Sequence, residues 1–280
     1  MCLDSKAGHG EMKRHGTVEK YVGETPLEAL ERFRVINSVQ RNVPLAYAGR
    51  LDPMASGILL ILIGDECRQQ EKYHAFDKAY DIEVVFGVGS DTGDVLGLIR
   101  HDANPPHTTE QNLKRVRKDL TGNISHPYPH FSSKTVNGKP LHTWTLEGRI
   151  DEIEIPVKHS RIYKLKLKKF RDVTKGELIA HALAKIEIIP KVVDERKVLG
   201  ADFRRDGVRS SWKYFRDERT PNTYMIASIH CICSSGTYMR SLAEEMGKRL
   251  GSNALALSIH RTRIGSYASI GPFGLWYRYF

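Results

Sequence analysis

Apolar stretches are short in this 280-residue chain. None approaches the roughly 20 residues that span a bilayer, so a membrane partner is not expected. Cysteine is scarce too: only Cys2, Cys67, Cys231 and Cys233 are present. No two of them have the spacing of zinc ligands, and plain thiols in a reducing compartment are the reading. The first residues, "MCLDSKAGHGEMKRHG", lack the apolar core of a signal peptide and contain acids that transit peptides avoid. Residues 1–16 therefore read as a loose polar tail, and the location as cytoplasmic. No G-x-G-x-x-G follows a strand pattern and no lysine-bearing phosphate loop occurs, so neither a nucleotide cofactor nor a metal is assigned. No internal repeat is found.

What the chain does have is positive charge. Lys and Arg number 43 against 33 acids, a net charge of +10, while charged residues are 27% of the total. A mixed surface with this bias suits nucleic acid, because each phosphate contact releases a counterion.

Pattern places the elements. "PLEALERFRVI" (26–36) has helical spacing behind a Thr25 cap and a first-turn proline. "GILLILIG" (57–64) is a glycine-bounded run of buried-strand type, and "AYDIEVVFGVGS" (79–90) alternates as a half-covered strand. A capped helix is expected over 108–122 and an Asn-Gly turn at Asn137-Gly138. "SRIYKLKLKKF" (160–170) should be a strand with a basic outer side. Residues 171–222 look least regular. "YMIASIHCICS" (224–234) reads as a buried strand running into a helix from near Thr237 to Gly251, and "LALSIHRTRIGSY" closes the chain as one or two strands. Strands and helices mix without regular alternation, which indicates an α+β fold.

The question is why "YAGRLDPMASG" (47–57) sets a single acid, Asp52, between leucine and proline in a loop that feeds a core strand. Rigid elements on either side fix a loop residue in place, as a reacting group requires. Other features converge on it. "KAY" puts Tyr80 at the mouth of a core strand, "SSGTYMRSL" puts Arg240 at the start of a helix, and "DTGDVLG" (91–97) is a second acidic glycine loop.

Together these segments resemble the TruB family of tRNA pseudouridine-55 synthases. "YAGRLDPMASGILLILIG" is similar to that family's G-x-L-D-P-x-A-x-G motif and its following strand. "DKAYDIEVVFGVGSDTGDVLG" is similar to its pocket-tyrosine and D-T-x-D-x-x-G segment, "CSSGTYMRSLAEEMGKRLG" to C-S-x-G-T-Y-x-R, and "IHRTRIGSY" to L-R-R-T-x-x-G. "YPHFSSKTVNGKPL" is similar to the loop that grips RNA. The resemblance implies a pseudouridine synthase fold, a mixed and mostly antiparallel sheet flanked by helices with an RNA-gripping loop inserted at about 123–148. The catalytic domain would span 17–268, with an insertion at about 171–222 and a short tail at 269–280.

It also implies uridine isomerisation in the T-loop of tRNA by a monomer that needs no cofactor. Asp52 would be the catalytic carboxylate. Tyr80 would pack on the target base and assist at C5, and Arg240 would pair with Asp52. Tyr47, Leu51, Tyr238, Lys20, Phe131 and Lys134 would complete the substrate contacts, with Lys139 and His142 on the gripping loop. The chemistry agrees: attack at C1' or proton capture at C2' each needs one ionised acid at the sugar, and a guanidinium beside it keeps it charged. The target base must be flipped out of its loop to reach that acid.

The chain departs from the family pattern in places. Tyr47 stands where members carry a histidine five residues before the acid, and Tyr21 replaces a proline. In "FSSKTVNG" the lysine is shifted by one position. A C-terminal RNA-binding module is expected to be absent, and the segment 196–219, with a small basic excess, reads either as a replacement for its area or as a plain solvated excursion. Two other readings share the scaffold: an RNA-binding or tRNA-folding protein without chemistry, and a synthase guided by a small RNA.

Overall fold

The computed structural model describes residues 14–191, 201–270 and 273–280. Its strands in chain order are β1 (His15–Lys20), β2 (Leu45–Ala48), β3 (Ala55–Ile63), β4 (Asp77–Phe86), β5 (Val88–Ser90), β6 (Ile99–His101), β7 (Gly122–Pro127), β8 (Thr135–Val136), β9 (Lys139–Pro140), β10 (Val157–Thr174), β11 (Thr223–Cys233), β12 (Ala254–Ile270) and β13 (Phe273–Tyr279). The helices are α1 (Pro26–Ile36), α2 (Gln70–His74), α3 (Glu110–Leu120), α4 (Leu141–Leu146), α5 (Lys175–Ile188), α6 (Arg205–Phe215) and α7 (Met239–Arg249).

One nine-stranded sheet dominates, in the order β1-β3-β12-β4-β11-β10-β7, with β2 added on β3 and β13 on β12. All neighbours are antiparallel except β3 and β12, which run parallel with Ile259 beside Ala55. The sheet is thus mixed and mostly antiparallel, flanked by helices, as an α+β pseudouridine synthase fold requires. Gly57 makes the parallel junction possible: its φ is +113°, and a Cβ there would fall on the Arg261 backbone. Only glycine tolerates both conditions. No helix among the described residues is long and apolar enough to cross a membrane.

Local chemistry explains the helix starts. Thr25 accepts from the Glu28 amide while Glu28 returns a bond to the Thr25 amide, a capping box that fixes the entry of α1. Thr174 and Glu177 repeat the device on α5. The Asn137-Gly138 turn has positive φ at both residues, +50° and +77°, and joins β8 to β9.

Residues 171–222 differ from their irregular expectation. They hold the end of β10, then α5 and α6. Leu178, Ile179, Ala182, Ile186, Val208, Trp212 and Phe215 are all buried in the main core, beside Ile82, Val84 and Ile226 of the sheet. The reason lies in their spacing: Val208, Trp212 and Phe215 fall on one helical face, and the charges between them cover the other. Part of segment 196–219 lies outside the described residues. Within the described part, Arg204, Arg205 and Arg209 pair with Asp91, Asp202, Glu187 and Asp206. The final residues, expected as a tail, form β13, because alternating aromatic and aliphatic side chains pair readily along β12. Residues 1–13 of the expected N-terminal tail lie outside the described residues, whereas His15 and Gly16 already belong to β1. Cys231 and Cys233, two residues apart on β11, are both buried.

Candidate active site

The Asp52 loop joins β2 to β3 and is held from below by two buried cations. Lys20 is 0% exposed, and its ammonium donates to the carbonyls of Tyr21 (3.0 Å), Asp52 (3.2 Å) and Ala55 (2.6 Å). Burial lowers its pKa to about 8. Arg261, equally hidden, donates to Ile58 (2.7 Å), Gly49 (3.1 Å) and Arg50 (3.3 Å). Backbone carbonyls that would otherwise be desolvated without partners are satisfied in this way, and the loop becomes rigid. The structure therefore places Lys20 beneath the loop, where its donors are spent on backbone.

With its backbone fixed, Asp52 has one place to point. Its Oδ2 accepts from Nε of Arg240 at 2.8 Å, while the side chain stays 41% exposed. One carboxylate edge is pinned and the rest faces solvent. Arg240 is almost fully buried at the start of α7, and its remaining donors reach the carbonyls of Thr92 (2.7 Å) and Phe131 (3.1 Å). One guanidinium thus ties the Asp52 loop, the 91–97 loop and the 123–148 insertion together.

A second acid stands behind it. Asp94 is 4% exposed and its Oδ2 lies 3.7 Å from Nε of Arg240. Thr92 Oγ1 and the Leu96 amide donate to its other oxygen. Burial acts to lower the pKa of Arg240, but Asp52 and Asp94 more than offset it and the net shift is upward. Burial raises Asp94, against the pull of Arg240. The sequence pattern marks the acidic loop but does not show what Asp94 does. Its signal was the paired spacing Asp91-Thr92-Gly93-Asp94, in which Gly93 has φ +75° and lies against the Arg240 side chain.

Tyr80 is buried at the loop's flank in one cluster with Leu51, Met54 and Ala55. Burial pushes its phenol up to about 12, against a hydrogen bond and charge from Arg261. It is therefore a neutral phenol at physiological pH. Arg261, which stands in the segment "IHRTRIGSY", links Tyr80 to the loop carbonyls. Tyr238 caps α7 and packs edge-on against Tyr128, with ring centroids 5.9 Å apart. Burial, with Tyr128 and Asp52 adding to it, pushes its phenol up to about 12.

The other named residues divide. Phe131 approaches the site through its carbonyl, while its ring lies 4.5 Å from the Arg204 guanidinium. Lys134 places its ammonium 5.4 Å from the Tyr128 ring. Tyr47 packs with the α1 cluster of Val18, Phe33 and Leu59. Lys139 pairs with Glu147 at 2.5 Å, and His142 bonds the Ser132 carbonyl. Arg204 forks onto Asp91 at 2.6 and 3.1 Å, and Trp212 donates to the Val95 carbonyl at 3.1 Å. Residues 201–216 thus buttress the loop that carries Asp94.

Residues 39–184 match the model of the TruB family pseudouridylate synthase, N-terminal domain, over more than half of the chain. The chain belongs to the TruB family. Among its curated relatives, this TruB-family chain is 27% identical to tRNA pseudouridine synthase 4 of Saccharomyces cerevisiae, covering 87% of this chain and 65% of the relative. It is 28% identical to tRNA pseudouridine synthase B of Caldicellulosiruptor saccharolyticus, covering 92% and 69%. The TruB-family chain spans about two thirds of the length of these relatives. A crystal structure of a Cbf5-Nop10-Gar1 complex shares its fold with a TM-score of 0.51, at 15% identity, over 89% of this chain and 49% of that one.

Proposed function

We propose that this chain converts uridine to pseudouridine at position 55 in the T-loop of tRNA, acting as a monomer. The observation that carries the reading is the Asp52–Arg240 pair, 2.8 Å long, with one carboxylate edge left open. Isomerisation breaks the C1'–N1 bond, turns the uracil, and forms C5–C1'. The proton on C5 is lost and N1 gains one, so atoms and charge balance. Asp52 serves the sugar: attack at C1' or proton capture at C2' both demand an ionised carboxylate that is accessible on one side. Arg240 fixes its direction and sets a compensating positive charge beside it. Tyr80 supplies a buried ring against which the everted base can lie, and the 123–148 insertion is the segment this reading assigns to gripping the T-arm. The names of the relatives support tRNA as substrate.

The test uses tRNA labelled with tritium at C5 of uridine. The reading expects tritium release from wild-type tRNA, and none when position 55 carries cytidine. Tight tRNA binding without release would instead mark an RNA-folding protein on the same scaffold. Release that persists after the cytidine substitution would move the target elsewhere.

A further inference from the structure

On the side of β4 that carries Asp77 and Asp81, aromatic rings and guanidinium groups form an unbroken row across three strands. Arg161 lies 5.6 Å from the Tyr163 ring, and Tyr163 packs on Tyr267 at 5.4 Å. Tyr267 packs on Trp276 at 5.2 Å. Arg263 then bridges Trp276 (5.6 Å) and Tyr279 (4.8 Å). The row ends on β13, where Tyr279 is 61% exposed. Register places a polar line beside it on the same side: Ser56, His260, Asp81, His230 and Lys166 are successive partners from β3 to β10.

The charges on this side do not cancel. The carboxylates along this side have partners: Asp77 the Tyr163 hydroxyl and the Tyr267 amide, Asp81 Lys168 and His230, Glu83 Arg171, Ser228 and Ser258, while Glu19 lies 3.7 Å from His260 at its β1 edge. Lys164 and Lys166 are exposed, and no carboxylate partner is found for either among the described residues. A row of rings interleaved with arginines, flanked by uncompensated lysines, matches the chemistry of an unpaired RNA strand. Bases stack on the rings while phosphates meet the cations. A folded protein partner would find few aliphatic anchors here.

We propose that this side of the sheet binds an unpaired segment of the substrate RNA outside the loop that enters the Asp52 site. The proposal rests on the RNA-modifying reading above. Fluorescence anisotropy with a labelled oligouridine 12-mer tests it without requiring turnover. The wild-type protein binds the oligomer, and saturating unlabelled T-arm stem-loop leaves it bound. Lys164→Gln with Lys166→Gln weakens it, and the log–log salt slope shrinks by about 1.4 for two lost phosphate contacts. Tyr279→Ala weakens it about fivefold or more, whereas Tyr279→Phe retains affinity. With full-length tRNA the lysine pair raises KM at unchanged kcat, and with the isolated stem-loop it changes neither. Displacement of the oligomer by the stem-loop, unaltered affinity in the variants, or equal loss in Tyr279→Ala and Tyr279→Phe would each overturn the proposal. Absence of tritium release with these binding results intact would sink the proposed reaction and leave the surface standing.

Discussion

Arg240 is the residue on which the site's electrostatics turn, because it is buried between two carboxylates. Replacing it by methionine leaves Asp94 buried without its cation, a situation that costs about 3–5 kcal/mol. Urea denaturation is expected to show a loss of that order. Adding Asp94→Asn should recover part of it, since the pair shares one interaction and its effects do not add. Full additivity would mean that the two groups do not interact. Lys20 gives a pH signature. Burial lowers its pKa to about 8 from the ordinary 10.5, so the unfolded chain holds that proton more tightly. Between those values the unfolded state carries more protons, and stability from this group rises with pH. Lys78, lowered to about 8 by burial with Arg261 adding, behaves alike. Lys20→Met should therefore show a smaller gain in Tm between pH 8 and 10 than the wild type does. At this scale the sequence announced Asp52, Tyr80 and Arg240 through their motifs. It set Lys20 among the substrate contacts, whereas its ammonium is spent on loop carbonyls, and it gave Arg261 and Asp94 no duty, because burial decides these roles and a one-dimensional pattern does not show which charges end inside.

Among the elements, β3 is the most constrained. Gly57→Ala forces a left-handed backbone on a residue with a Cβ and pushes that atom into the Arg261 backbone. Backbone strain of this kind costs about 1–3 kcal/mol, and the Asp52 loop shifts with it. The expected result is lower Tm together with lower kcat. An unchanged kcat would show that the loop is independent of the strand junction. The β3 run and the start of α1 were legible because a glycine-bounded apolar run and a Thr cap followed by a first-turn proline each have few alternatives, and the Glu28 half of the capping box emerged only in the structure. α6 was not legible. Its apolar positions Val208, Trp212 and Phe215 are separated by Arg209, Ser210, Ser211, Lys213 and Tyr214, and this polar background masked a four-then-three spacing. Trp212→Phe removes the N–H that reaches Val95 while keeping the ring, and isolates that buttress. The prediction is a kcat decrease larger than the accompanying change in Tm would explain.

For the whole molecule, the consequence is that residues 171–222 cannot be an appendage. α5 and α6 contribute to the same core as β4, β11 and α7. Hydrogen exchange should find their slowest amides opening with the same free energy as those of β4. Exchange of α5 and α6 at a distinctly lower free energy would make them a separate unit. The α+β class was legible at this scale, because strands and capped helices that mix without regular alternation leave few architectures, whereas the mixed, mostly antiparallel sheet was implied only by the family resemblance. Long-range assembly was not legible: nothing in "DTGDVLG" or "SSGTYMRSL" by itself shows that Arg240 meets Asp52 on one side and Asp94 on the other.

That meeting is the central claim, and Asp52→Asn tests it most directly, since the amide keeps the shape but cannot ionise. Single-turnover tritium release from C5-labelled tRNA should fall to background in Asp52→Asn while tRNA affinity stays within a fewfold of wild type. Release at a rate comparable to wild type would contradict the account.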